Sequence, residues 1–198
     1  MPSLPHGDSS PLSPLSPLSP SRPLPPPLPR GPSPAAPALS AVSLAPQERP
    51  PLVRPVTGEE LPRLSGLDEQ IFAEYAYPYF VLRQLYDVYA DHLLVLDDGE
   101  ALRGYVLMGI RPDRSLAWIL GLGIERRARG RGFGRQLMAE ALRRLRADGV
   151  GEVRLTVEPA NAAAVALYES LGFSGLEHSE DYFGPGDGRL VMALALYG

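Results

Sequence analysis

The sequence predicts a mixed α/β domain, a mostly antiparallel sheet flanked by helices, preceded by a disordered proline-rich tail. Three observations predict it: a sharp change of composition near residue 50, alternating strand and helix periodicities after it, and turn signals between neighbouring strands. Of the 23 prolines, 16 fall in residues 1–50. Residues 11–20 read PLSPLSPLSP, a three-residue period that matches the turn of a polyproline II helix and offers no face to bury. Residues 1–50 are therefore expected to be a disordered Pro/Ser-rich tail, read either as a solvated extension or as a weak ligand for a proline-recognition domain. Residues 51–198 have the size of one compact domain with a full core and are too few for two.

Within that domain, 52–56 reads as a short strand and 58–72 as a helical stretch with Leu61, Leu64, Ile71 and Phe72 apolar. Pro78 opens a second helix whose stripe is Val81, Leu82, Leu85, Val88 and Tyr89. Residues 93–96 and 101–110 form a hairpin around Asp97-Asp98-Gly99-Glu100, and 116–124 adds a third strand to the meander. From 132 to 148, Phe133, Leu137, Met138, Ala141, Leu142 and Leu145 share one helix face, and Gly149 stops the helix. Val153, Leu155 and Val157 alternate with polar residues in a further strand. Asn161 caps a helix with Ala164, Leu167, Tyr168 and Leu171 on one face. Two antiparallel strands, 173–183 and 189–196, close the chain around Gly184-Pro185-Gly186-Asp187-Gly188.

Composition removes several function classes. The chain has no cysteine, which excludes a disulfide scaffold, a thiolate metal site and a covalent cysteine intermediate. His6, His92 and His178 lack the i, i+4 spacing of helix-borne ligands, so no metal is expected. No run of apolar residues and glycines exceeds the nine residues of 116–124, less than half of a membrane-spanning helix. With no signal-like block before Arg22, the expected setting is cytoplasmic, with no membrane partner. All 19 basic residues are arginine, and residues 51–198 hold 16 of them against 21 acids, hence −5. That balance disfavours nucleic acid. Arg126, Arg127, Arg129, Arg131 and Arg135 nevertheless cluster within ten positions, which suits a small anion.

These arginines surround the segment LGIERRARGRGFG at 122–134. A buried strand runs there into an arginine–glycine loop that opens the longest helical stripe. Gly130, Gly132 and Gly134 lack the Cβ that would hold a phosphate away, and the unpaired N–H groups and dipole of a helix start favour an anion. The residues alone leave two readings: a phosphate cradle, or glycines that only cap a helix under solvated arginines. A nucleotide-hydrolysing loop would need Gly-Lys-Ser/Thr, and the chain has no lysine.

Arg129-Gly130-Arg131-Gly132-Phe133-Gly134, preceded by Leu122-Gly123-Ile124, resembles the R/Q-x-x-G-x-G/A signature of the GNAT superfamily of acetyl-CoA-dependent N-acetyltransferases. Asn161 to Tyr168, followed by Leu171-Gly172-Phe173, is similar to that family's second motif, N-x-x-A-x-x-L-Y-x-x-x-G-F. Pro78-Tyr79-Phe80 and Asp181-Tyr182-Phe183-Gly184 lean toward its ribosomal-protein alanine N-acetyltransferase branch. The resemblance covers 52–198 and implies a GNAT domain at 51–198 that takes acetyl-CoA as co-substrate. It places the pyrophosphate on the backbone of Arg129, Gly130, Arg131, Gly132, Phe133 and Gly134, with the Arg129 and Arg131 side chains as supplementary contacts. It implies that the strand end at Leu122, Gly123 and Ile124 splays from its neighbour, frees backbone groups for the pantetheine arm, and lets Ile124 donate to the thioester oxygen.

The resemblance further implies Tyr168 as general acid for the departing thiolate and Asn161 as a coenzyme contact. Taken alone, Tyr168 also reads as a core tyrosine with a satisfied hydroxyl, and Asn161 as a helix cap. The branch has a glutamate where this chain has Thr156, which cannot accept a proton. Glu158, two residues on along the same strand face, reads either as a substitute base or as an exposed strand-end residue. Tyr182 and Phe183 are expected near the acceptor mouth. The function so implied is direct acetyl transfer to an amine, on a peptide N-terminus or a small molecule. The alternative is a catalytically weak acyl-CoA-binding regulatory module, to which Thr156 lends weight.

Overall fold

The computed structural model describes residues 50–196, and the expected tail, apart from Pro50, lies outside the described residues. The elements run β1 (Leu52–Pro55), α1 (Leu61–Phe72), α2 (Tyr79–Tyr89), β2 (Leu93–Asp97), β3 (Leu102–Ile110), β4 (Leu116–Ile124), α3 (Phe133–Ala147), β5 (Glu152–Val157), α4 (Ala162–Ser170), β6 (Ser174–Ser179) and β7 (Arg189–Ala195). The strands form one seven-stranded sheet in the order β1-β2-β3-β4-β5-β7-β6. Only β4 and β5 run parallel; the other five neighbouring pairs are antiparallel.

Two cores form because successive residues of β2 and β3 point to opposite faces of the sheet. Leu94, Leu96, Val106 and Met108 pack with Leu137, Met138, Ala141 and Leu145 of α3 and with Tyr168 of α4. Leu93, Val95, Tyr105 and Leu107 pack with Leu61, Leu64 and Leu67 of α1 and Leu82 of α2. The apolar face predicted for α3 is the buried one. In β5 it is Val153, Leu155 and Val157 that are buried, as the alternation predicts.

Two expectations need correction. The face of α2 that meets the core is Leu82, Leu85, Tyr86 and Tyr89, whereas Val88 is 68% exposed. A step of three from Leu85 carries Val88 off that seam onto the flank that the sheet does not reach. The strand expected at 173–183 ends at Ser179. Beyond it the chain bonds to itself: Asp181 Oδ1 accepts from Gly186 N–H at 2.7 Å, and Phe183 N–H donates to Asp187 O at 3.2 Å. Such local bonds compete with a sheet ladder and win where a flexible glycine-rich stretch follows.

Arg54 fastens the edge of the sheet to the start of α1. Its Nη2 lies 2.6 Å from both Glu60 Oε1 and Asp97 Oδ2. The hydrogen bond from Arg54 lowers the Glu60 carboxyl from 4.5 to about 2. A depressed carboxylate contributes stability that is complete above its unfolded pKa and is lost as pH falls through its folded one. Glu60→Gln should therefore lower the urea midpoint at pH 7, and the gap to the parent should close between pH 4.5 and about 2. Urea titrations across that range check this; a gap that persists unchanged to pH 2 contradicts it.

Candidate active site

The sheet opens between its two parallel strands. β4 and β5 pair only from Leu116↔Glu152 to Ile119↔Leu155, although β4 continues to Ile124 and β5 to Val157. On the other side of β4 the register with β3 jumps from Leu107↔Gly121 to Met108↔Ile119. Leu120 is thus a bulge, the one-residue insertion that bends and twists a strand. Glu125 N–H donates to Arg103 O at 2.8 Å. By the alternation of an antiparallel ladder, Gly123 and Glu125 face β3, and the backbone groups of Leu122 and Ile124 face the opening.

The two glycines of this strand end make room for packing. A Cβ on Gly123 would stand 2.9 Å from Ile71 Cδ1 and Phe72 Cε2, and one on Gly121 would stand 3.1 Å from the Tyr105 hydroxyl. The irregularity of the strand itself sits at Leu120, between these glycines and Ile119.

Below the opening, a 3-10 turn at Arg126–Ala128 leads to the loop that starts α3. Gly130 and Gly132 have φ of +75° and +81°, and no heavy atom lies within 4 Å of where their Cβ atoms would be. Such φ values suit glycine, which has no Cβ to strain. Among the described residues, the N–H groups of Gly130, Arg131, Gly132, Phe133, Gly134 and Arg135 have no acceptor; the first paired is Gln136, to Gly132 O at 3.1 Å. Six free donors at the positive end of a fifteen-residue helix form a cradle suited to phosphate oxygens. None of the five clustered arginines has a carboxylate partner among the described residues, so their charge stays available.

The side chains of the loop are partly committed. Arg129 Nε donates to Ile124 O at 3.0 Å, which ties the loop to the strand end. The Arg131 guanidinium lies 5.0 Å from the Phe133 ring centroid, and Phe133 itself is buried in the core. Only the backbone of Phe133 can serve a ligand.

α4 packs directly against this helix start. Leu167 Cδ2 lies 3.2 Å from the Cβ position of Gly134, and Arg135 Nη2 donates to Ser170 Oγ at 2.5 Å. Asn161 caps α4, its Oδ1 accepting from Ala164 N–H at 3.2 Å, so its side-chain oxygen serves the helix. Tyr168 is 7% exposed and its ring lies 6.0 Å from that of Phe173. Its hydroxyl has no hydrogen-bond partner among the described residues, and it is not sealed from solvent. Burial raises the Tyr168 pKa to about 12.

The α1–α2 loop reaches the Leu120 bulge, and Arg189 connects it to the β6–β7 loop. Tyr77 N–H donates to Asp68 Oδ2 at 2.7 Å, and the Tyr77 hydroxyl donates to Leu120 O at 2.9 Å. The bulge carbonyl thus finds its partner in the interhelical loop. Asp68 is fully buried and also accepts from the Tyr105 hydroxyl at 2.5 Å. Tyr182 and Phe183 stand T-shaped, 5.0 Å between centroids. Glu158 lies beyond the end of β5, exposed, in the turn where its carbonyl accepts from Asn161 N–H. It is therefore not on the strand face expected for it, because β5 ends at Val157.

The structure brings Leu122, Gly123, Ile124 and the loop 129–134 to one opening, with α4 and Tyr168 beside the loop. Sequence reading missed Asp68, Tyr77 and the Leu120 bulge. One signal was present: Asp68 falls on the α1 face that also carries Leu61 and Leu64, a charged residue at a core position.

A mixed sheet opened between its two parallel strands thus meets an N–H-lined cradle at the mouth. The chain belongs to the acetyltransferase (GNAT) family, whose model matches residues 61–173. It is 48% identical over 82 residues to a mycothiol acetyltransferase of Beutenbergia cavernae, a match that covers 41% of this chain and 27% of that protein. To a [ribosomal protein bS18]-alanine N-acetyltransferase of Escherichia coli it is 35% identical over 83 residues, covering 40% of this chain and 56% of that protein. The chain thus spans about a quarter and about half of these two relatives. The crystal structure of the ribosomal-protein-S18-alanine N-acetyltransferase from Escherichia coli shares the fold with a TM-score of 0.66 at 21% identity, covering 75% of this chain and 96% of that one. A ribosomal-protein-alanine N-acetyltransferase from Brucella melitensis gives 0.60 at 26%, covering 73% and 99%.

The cradle makes a specific prediction. Gly132→Val forces a branched residue to a φ of +81°, which costs about 1–3 kcal/mol in folding and also fills the space over the free donors. Gly132→Asn tolerates the left-handed region and should fold almost normally, while its side chain still crowds the cradle. Both variants should lose coenzyme A affinity in calorimetry, the asparagine one without a matching loss of thermal stability. Normal binding by Gly132→Asn would place the phosphate contacts elsewhere.

Proposed function

We propose that residues 51–198 transfer an acetyl group from acetyl-CoA directly to the amine of an acceptor, either a peptide N-terminus or a small amine. The observation that carries this reading is the junction of the β4–β5 opening with the six free N–H donors at 130–135. An extended ligand with phosphates at one end and a reactive group at the other matches it. Two solved structures of this fold, a putative acetyltransferase from Salmonella typhimurium with acetyl-CoA and a phosphinothricin acetyltransferase from Sinorhizobium meliloti in complex with AcCoA, support that choice of ligand.

Acetyl-CoA supplies a thioester whose carbonyl accepts an amine and whose sulfur departs as a thiolate. In this reading the backbone of 129–134 binds the pyrophosphate, and the Leu122 backbone pairs with the pantetheine arm. The Ile124 N–H donates to the thioester oxygen, where negative charge develops during attack. The Tyr168 hydroxyl donates its proton to the departing sulfur. With its pKa near 12, Tyr168 remains protonated throughout the neutral range.

Thr156 cannot accept the proton that the amine loses on becoming an amide; that proton passes to solvent, directly or by way of the exposed Glu158 carboxylate, and solvent returns a proton to Tyr168 after the thiol leaves. An alkylammonium has a pKa of about 10 and an α-amine about 8. A peptide N-terminus reaches its neutral, nucleophilic form closer to physiological pH, and this favours it as acceptor.

Tyr168→Phe removes only the hydroxyl and keeps the ring volume in its pocket. It should leave acetyl-CoA affinity within a few-fold and lower turnover by roughly 10²–10⁴, the usual worth of a positioned general acid. CoA release measured against peptides, polyamines and small amines tests both points. Initial-rate lines should intersect, because both substrates are bound together when transfer occurs. Parallel lines, or full activity in the phenylalanine variant where chemistry limits the rate, would remove Tyr168 and direct transfer from the account.

A further inference from the structure

Arg189, the first residue of β7, reaches both the α1–α2 loop and the β6–β7 loop. Its guanidinium carbon lies 4.9 Å from the Phe183 ring centroid and 5.6 Å from that of Tyr75. Both distances fall within cation–π range. Nη1 also pairs with Asp187 and donates to Gly188 O at 2.8 Å, and the side chain is only 13% exposed. Phe183 and Tyr75 are each 59% exposed, so the two rings leave most of their surface to solvent while one buried cation links them.

The anchorage on either side gives that link its importance. Tyr75 precedes Tyr77, which is fixed to Asp68 and to the Leu120 bulge of β4. Arg189 lies next to Leu190, the partner of Val157 at the end of β5. The loops therefore approach each other from the two strands that part. The β6–β7 loop is folded on itself through Asp181 and Gly186. Among the described residues no hydrogen bond or ion pair joins 73–77 to 180–188, which leaves the Tyr75–Arg189–Phe183 stack as their polar connection.

We propose that Arg189 is a clasp, a positioning residue that holds the Tyr75 and Phe183 walls at a fixed separation and so sets affinity for the amine acceptor. This rests on the acetyl-transfer reading, with the acceptor entering between these loops. Arg189 touches none of the reacting atoms, and the cradle at 130–135 does not depend on it. Its loss acts on acceptor binding and spares the coenzyme.

The test compares the full chain with Arg189→Met, Arg189→Lys and Tyr75→Leu. It uses acetyl-CoA calorimetry, steady-state kinetics on a short peptide with a free α-amine, and hydrogen exchange of 73–77 and 180–188. Arg189→Met should accelerate exchange in both segments and raise the peptide KM about fivefold or more, a shift within the range of a lost cation–π stack. Coenzyme Kd should stay within about twofold and kcat at saturating peptide within about threefold. Arg189→Lys keeps the cation and should recover part of the KM. Tyr75→Leu should raise KM with Arg189 intact, which keeps the proposal testable if the methionine variant folds poorly. An active parent with unchanged KM in these variants, or KM and coenzyme Kd rising together, overturns the clasp alone. A parent that acetylates no amine overturns the clasp and the transfer reading together.

Discussion

The parting of β4 from β5 is the constraint on which the rest of the structure depends. A parallel pair buried between two helical layers ordinarily stays paired along its length, because a backbone N–H or C=O left alone in a core is costly. Here pairing stops at Ile119↔Leu155, and β4 continues for five residues with one edge open. That edge is tolerable only if something other than β5 satisfies it. The Leu120 carbonyl takes the Tyr77 hydroxyl, and the Ile124 carbonyl takes Arg129 Nε. The backbone of Leu122 and the N–H of Ile124 remain facing the opening.

Holding the opening requires polar groups inside a core. Asp68 is fully buried, and its burial raises its carboxyl pKa against the opposing hydrogen bonds from Tyr105 and Tyr77. Two short bonds satisfy it, and buried polar groups that are fully paired fix geometry where an unpaired group would destabilise it. Gly121 and Gly123 contribute by omission. Without a side chain, they let Tyr105, Ile71 and Phe72 close over that face of β4, so the opening is supported from α1. The opening therefore rests on a strand end braced from α1, while the rim proposed for the acceptor is made of loops.

Much of this architecture was legible in the sequence, for identifiable reasons. α3 and β5 carry unbroken periodicities, so their buried faces follow from spacing alone. Asn161 caps α4 because its short side-chain oxygen reaches the Ala164 N–H, a local event that needs no tertiary information. The glycines of the loop were visible in the sequence, but the residues alone left a phosphate cradle and a plain helix cap open, and the positive φ of Gly130 and Gly132 emerges only in the structure. The features that were not legible depend on register. The Leu120 bulge is invisible until β3 is laid beside β4, and the role of Tyr77 follows from the bulge. Glu158 stands one residue past the end of β5 and is exposed, so its place relative to the strand face depended on where the ladder with β7 stops. Arg189 reads in sequence as an ordinary strand residue, and its two ring partners come from segments more than a hundred positions apart and from its own loop.

The central claim is that the open edge at Leu122 and Ile124 receives the thioester arm of acetyl-CoA while the N–H groups of 130–135 hold its phosphates. Residue-resolved amide hydrogen exchange, with and without saturating acetyl-CoA, tests it most directly. The account predicts strong added protection at Ile124 and at the 130–135 amides, with little change at Gly123, which already faces β3. Protection confined to 130–135, with Ile124 exchanging as fast as in the free protein, would contradict it.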